Sequence, residues 1–217
     1  MDNNKLKSDV KSKILWEPGI DGDGVIVEVD DGIVTLSGTV PSFFQKICIE
    51  NVVKKMWGVK AVVNEVSVDI ATHLKRNDKE IAEAAVNALG WDIALPKDAI
   101  KISVAKGVVT LTGEVRFDFQ RTRAFNDVNS LYGVMNVINA ITLRSSTSVD
   151  SKVIEKEIER EFQRSAVLHA HKINVKTEGK KVYLSGPVSS WFEYKEANDA
   201  AFTVPGVIEV QNDLYIQ

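Results

Sequence analysis

One phrase recurs three times along this chain of 217 residues. It reads "IVTLSGTV" from Ile33 to Val40, "VVTLTGEV" from Val108 to Val115 and "VYLSGPV" from Val182 to Val188. With its glycine taken as origin (Gly38, Gly113, Gly186), the copies lie 75 and 73 residues apart. Every copy has a phenylalanine at +6 (Phe44, Phe119, Phe192) and a Gly-Val pair at +20, beginning at Gly58, Gly133 and Gly206. An asparagine stands at +26 in each (Asn64, Asn139, Asn212). Spacings held without a gap in three copies mark an internal triplication, and a repeat dictates architecture before any single residue does.

Hydrophobic periodicity supplies the elements of each copy. Leu6, Val10 and Ile14, with Ile81, Ala85, Leu89 and Ile154, Ile158, Phe162, step by four and predict one buried stripe of a helix. Asp78 is the expected N-cap of the second such helix, and Asp150 or Ser151 of the third. Alternating β-branched residues follow: Val25, Val27, Val29, then Ile100, Ile102, Val104, then Ile173, Val175, Thr177. A tight turn with a glycine (Gly32, Gly107, Gly179) joins this strand to the recurrent phrase as a hairpin. A second helix turns Ile49 and Val53, Ala124 and Val128, and Ala197 and Ala201 inward, and the +20 glycine closes it. A last strand carries Val62 and Val66, Val137 and Ile141, or Val210 and Leu214.

The fold class is therefore α+β: three tandem αββαβ modules, each a small three-stranded mixed sheet packed against two helices. Their expected limits are 1–75, 76–147 and 148–217, with short polar linkers near 73–77 and 145–148. A module of this size buries only about 60 % of its unfolded surface, so contacts with a neighbour are expected. Phe44, Phe119 and Phe192 are read as plugs of each core, and Trp16 and Trp91 as core or inter-module contacts.

"DGIVTLSGTV" (Asp31 to Val40), "KGVVTLTGEV" (Lys106 to Val115), the amphipathic helix after them, and "GVKAVVNEVSV" or "GVMNVINAITL" (from Gly58 and Gly133) together resemble the BON domain. That family is named for bacterial osmotically inducible and nodulation proteins, and the resemblance spans essentially the whole chain. It implies an αββαβ fold, a link to osmotic and envelope stress, and binding of phospholipid or a membrane surface. One branch of the family binds potassium. The third copy departs most, with "EGKKVYLSG" in place of a "DG" or "KG" turn and Pro205 before Gly206.

Catalysis requires convergent groups, and the expectation is a non-enzyme with no catalytic residue, no metal and no cofactor. Ser37, Thr112 and Ser185 precede the origin glycine but lack a GxSxG elbow and a histidine at fixed offset. His73, and His169 with His171, read as solvated loop residues rather than a metal set. "DGDG" at Asp21 to Gly24 fails the calcium-loop pattern, although Asp30 and Asp31 lie across the first strand. Cys48 reads as buried or inert.

The sharpest candidate for binding is "RFDFQRTR", where Arg116, Arg121 and Arg123 interleave with Phe117 and Phe119. Guanidinium forks grip phosphate oxygens while aromatic rings settle at a headgroup boundary. Trp191 of "SSWFEY" joins Arg116, Phe117, Arg121 and Arg123 as a candidate lipid contact. By formal charge the modules stand at about −2, +1 and −2, so the middle one is the basic one.

The expected function is that of an osmotic- or envelope-stress protein docking on anionic phospholipid or a membrane surface. A soluble potassium-binding sensor and a self-assembling scaffold are the alternatives. A net charge of −3 argues against nucleic acid as a partner. The N-terminal stretch is charged throughout and no signal peptide is read in it, so the expected address is cytoplasmic as written, or periplasmic if a leader was removed.

Overall fold

The computed structural model describes residues 2–144, 150–165, 168–169 and 172–217. The 145–148 linker and His171 lie outside the described residues. The chain divides into two compact units, Met1–Gly113 with Phe119–Ile141, and Glu114–Asp118 with Thr142–Gln217.

The first module runs α1 (Asn3–Trp16), β1 (Val25–Asp30), β2 (Ile33–Val40), α2 (Phe43–Lys54), β3 (Ala61–Asn64) and β4 (Ser67–Val68). The second comprises α3 (Asp78–Trp91), β5 (Ile100–Ala105), β6 (Val108–Val115), α4 (Asp118–Asn129) and β7 (Asn136–Leu143). The third comprises α5 (Ser151–Arg164), β8 (Asn174–Glu178), β9 (Lys181–Val188), α6 (Trp191–Thr203) and β10 (Glu209–Ile216). In each, the recurrent phrase is the central strand. It pairs antiparallel with its hairpin partner (Val27 with Leu36, Ile102 with Leu111). In the first and third modules the last strand runs parallel to it, at the same offset: Leu36 lies opposite Asn64 and Leu184 opposite Asn212.

The origin glycine owes its recurrence to close backbone approach. Its φ is +101°, +127° and +129° in the three copies. A Cβ there would lie 2.0 Å from the Gly24 carbonyl oxygen, 2.0 Å from that of Ala99 and 2.3 Å from that of Lys172. No other residue fits. The turn also explains the divergent third copy. Asp31-Gly32 and Lys106-Gly107 both have positive φ at both central positions, the I′ pattern. In the third copy Gly179 alone is positive and comes first, so the glycine moves one place earlier as a II′ turn requires.

Leu36, Leu111 and Leu184 are fully buried under the helices, as are Leu6, Val10 and Ile14 of α1 and Ile154, Ile158 and Phe162 of α5. Asn77, not Asp78, caps α3, in a capping box with Glu80. Asp78 instead accepts from the backbone N–H groups of Lys106 (2.8 Å) and Gly107 (2.9 Å), tying the helix to the hairpin turn. Asp150 caps α5.

The aromatic plugs are a correction. Phe44, Phe119 and Phe192 are 44 %, 55 % and 46 % exposed. The reason is helical geometry: the inward stripe is set by +11 and +15 (Ile49 and Val53 in the first copy), and +6 lies about 140° away around the helix. Trp16 and Trp91 are corrected likewise, at 83 % and 85 % exposed, because two residues beyond Ile14 and Leu89 the chain faces the opposite side. Phe43, one residue before the first plug, is buried, with an edge contact to Phe125 at 6.4 Å within the first unit.

Candidate functional site

The corner where the central strand enters the second helix is where the three copies differ in chemistry. Ser42 and Ser190 cap α2 and α6 through N–H groups of Gln45 and Glu193. Position +7 then falls on the inward stripe, four residues before +11, and it is polar in every copy: Gln45, Gln120 and Glu193. Each ties down the loop that follows the first helix. The Asp21 N–H donates to Gln45 Oε1 at 3.0 Å, Gln120 Nε2 donates to the Ala94 carbonyl at 2.9 Å, and the His169 N–H donates to Glu193 Oε1 at 2.9 Å. The sequence reading missed this row, although its signal is a polar residue recurring at a core register.

In the third copy the tether is a carboxylate, and Glu193 is 1 % exposed. Ser189 donates to it through both N–H and Oγ at 2.7 Å, and the His169 ring Nδ1 lies 2.9 Å away. Burial works to raise the Glu193 carboxyl, but the backbone bonds from Ser189 and His169, reinforced by their side chains, hold it at about 2. His169 is therefore not a purely solvated loop residue. A bond to a buried carboxylate positions its ring, while His73 is exposed in a single 3-10 turn.

The candidate lipid contacts sit as follows. Arg116 follows β6 and its guanidinium lies 5.3 Å from the Phe117 ring centre; Phe117 is 47 % exposed. Arg121 and Arg123 lie in α4. The backbone carbonyl of Arg121 accepts from Asn139, and Arg123 Nε donates to Asp92 at 2.6 Å. Asp92 also accepts from the Ala94 N–H, and these two bonds hold its carboxyl below the ordinary range. Asp127 on the next turn is pushed up, by burial first and then by its bond to Asp92. Arg123 thus has a structural partner that its sequence context did not reveal. Trp191 occupies the matching corner of the third module, half-buried and edge-on to Tyr194 at 4.9 Å.

Among the described residues no group of three or more His, Cys, Asp or Glu could hold a metal ion, and no helix is long and apolar enough to cross a membrane. Cys48 is half-buried, and burial with the nearby Glu17 charge pushes its thiol up.

Osmotically-inducible protein Y of Escherichia coli (strain K12) is 28 % identical over 144 residues, covering 64 % of this chain and 71 % of that protein. Among solved structures, CdsD, a structural protein of the type III secretion system of Chlamydia trachomatis, aligns over 98 % of this chain and 92 % of its own. That alignment has 14 % identity and a TM-score of 0.29, too loose a superposition to carry over any property. Residues 2–69, 77–145 and 150–217 each match the BON domain. The three matches take in nearly the whole sequence, and the chain belongs to the BON domain family as a protein of three tandem BON modules.

Proposed function

We propose that this is a non-enzymatic, osmotic-stress-associated protein that docks peripherally on anionic phospholipid through the β6–α4 corner of its second module. The observation that carries the reading is the alternation there of Arg116, Arg121 and Arg123 with Phe117 and Phe119, whose rings stand 47 % and 55 % exposed. Exposed rings of this kind suit a headgroup boundary, and arginines suit its phosphates. The likeness to an osmotically inducible protein supports the stress association. Each cation near an anionic surface contributes about 1 kcal/mol. Asp92 offsets Arg123, so the attachment is weak and salt-sensitive.

Co-sedimentation with phosphatidylglycerol-containing and with pure phosphatidylcholine vesicles tests this. Binding is expected to the anionic vesicles alone, to fall with salt, and to fall further in the Arg116→Ala/Arg121→Ala variant. Equal binding to both vesicle types, or no change in that variant, would overturn it.

A second reading, self-assembly, is favoured by Trp16, Trp57 and Trp91, which stand 83 %, 77 % and 85 % exposed. Light scattering across a concentration series tests it, and a constant monomer mass rejects it.

A further inference from the structure

Three charged side chains of the middle module meet where the end of α3 lies beside α4. Asp92 is the C-cap of α3, and Arg123 and Asp127 stand one turn apart on one face of α4. At these registers the sister modules have Glu17, Cys48 and Val52, or Ser165, Glu196 and Ala200, so the trio is peculiar to the middle copy. The Asp92 side chain is 6 % exposed and both its oxygens are engaged: Oδ1 accepts from the Ala94 N–H at 2.8 Å and Oδ2 from Arg123 Nε at 2.6 Å. Asp127 bonds to Asp92, yet its own Oδ2 is sealed from water and has no hydrogen-bond partner among the described residues.

We propose that Asp92 and Asp127 share a proton that clasps the end of α3 to α4, a pH-responsive fastening present in the middle module alone. Ionised carboxylates only accept, so two of them bond to each other only through a proton. Asp92 is the partner held ionised, by the Ala94 N–H and the Arg123 guanidinium, and the proton therefore sits on Asp127. The charged groups acting on Asp127 are Asp92, from the end of α3, and Arg123, from α4 itself, which is already engaged by Asp92. When the proton leaves to solvent, two carboxylates face one guanidinium and the sealed Oδ2 has no donor, so the clasp loosens and frees the loop at Ala94. Burial, and then Asp92, raise the Asp127 carboxyl above its ordinary 3.8. The fastening is thus complete below that pH and is lost as pH rises through the folded value. Glu193 acts with the opposite sign and is complete above 4.5, and the clasp does not depend on membrane contact.

Carbon-13 NMR of the side-chain carboxyls of the full chain, titrated from about pH 3 to 8, tests this. Asp127 is expected to titrate above 3.8, and the Ala94 N–H resonance to shift with the same midpoint. Asp127→Asn supplies Asp92 with a permanent donor and is expected to remove that dependence. Relative to Asp127→Asn, hydrogen exchange at Ala94 in the wild type is expected to lose protection as pH rises. The loss should reach about tenfold for each unit by which the Asp127 midpoint exceeds 3.8. An Asp127 midpoint at or below 3.8, an Ala94 resonance that does not follow it, or the same pH dependence in a folded Asp127→Asn protein would each overturn the proposal. The two wild-type titrations decide alone if that variant does not fold.

Discussion

The side-chain amide of Asn139 donates to the backbone carbonyl of Arg121 at 2.9 Å, while its Oδ1 accepts from the Ile141 N–H. The last strand is thereby fastened to the first turns of the second helix. Asn212 repeats both bonds with Tyr194 and Leu214, and Asn64 repeats them with Lys46 (3.4 Å) and Val66. In the first module Asn64 also donates to Glu50 at 2.9 Å.

Replacing Asn139 or Asn212 by Leu removes the bond to the Ile141 or Leu214 N–H and the side-chain bond to a helix carbonyl. A loss of about 1–3 kcal/mol is expected at either site in denaturant unfolding. Asn→Asp keeps the acceptor but turns an oxygen toward the carbonyl, so it is expected to cost at least as much near neutral pH.

Glycine substitutions should separate backbone strain from open space. Gly113→Ala places a Cβ against the Ala99 carbonyl at positive φ and is expected to cost about 2–4 kcal/mol. Gly179→Ala meets nothing within 4 Å, so only its φ of +62° opposes it, at about 1 kcal/mol. Gly90, inside α3 with nothing outside its own helix backbone within 4 Å of an added Cβ, is expected to gain roughly 0.5–1 kcal/mol as Ala. Thermal unfolding of the three variants gives the ranking.

Glu193 should make the third module acid-sensitive. Its folded carboxyl lies at about 2 against an ordinary 4.5, so its contribution is complete above pH 4.5 and is lost as pH falls toward 2. The linkage amounts to at most about 3 kcal/mol. Glu193→Gln, the residue type at Gln45 and Gln120, is expected to flatten stability across that window and to lower it near neutral pH. Unfolding midpoints from pH 6 to 2 check both.

Arg123→Ala should destabilise the second module before it affects binding, because Asp92, only 6 % exposed, would be left beside Asp127. Asp127→Asn in the same chain is expected to recover part of the loss. Comparing melting curves of the single and double variants tests the coupling. Membrane-binding tests therefore use Arg116 and Arg121, with a melting curve of that variant alongside.

Much of this protein follows from local rules that a sequence states outright. Period four and period two marked the helices and strands, and ungapped spacings from Gly38, Gly113 and Gly186 showed one module built three times. Leu36, Leu111 and Leu184 could be placed in the core because alternation assigns a face. On the second helix angle overrides residue type: the phenylalanines at +6 point outward, and the polar residues at +7 point in. Other relationships depend on which distant segments meet. Asp78 reaches a turn 28 residues away, Arg123 meets Asp92, and Asn139 meets a carbonyl 18 residues back. The sequence by itself determined the module and its number of copies, because periodicity and turn chemistry are local. Only the tertiary structure decided which polar groups are paired and how deeply Leu89 is buried, because pairing and packing depend on distances that no spacing along the chain encodes.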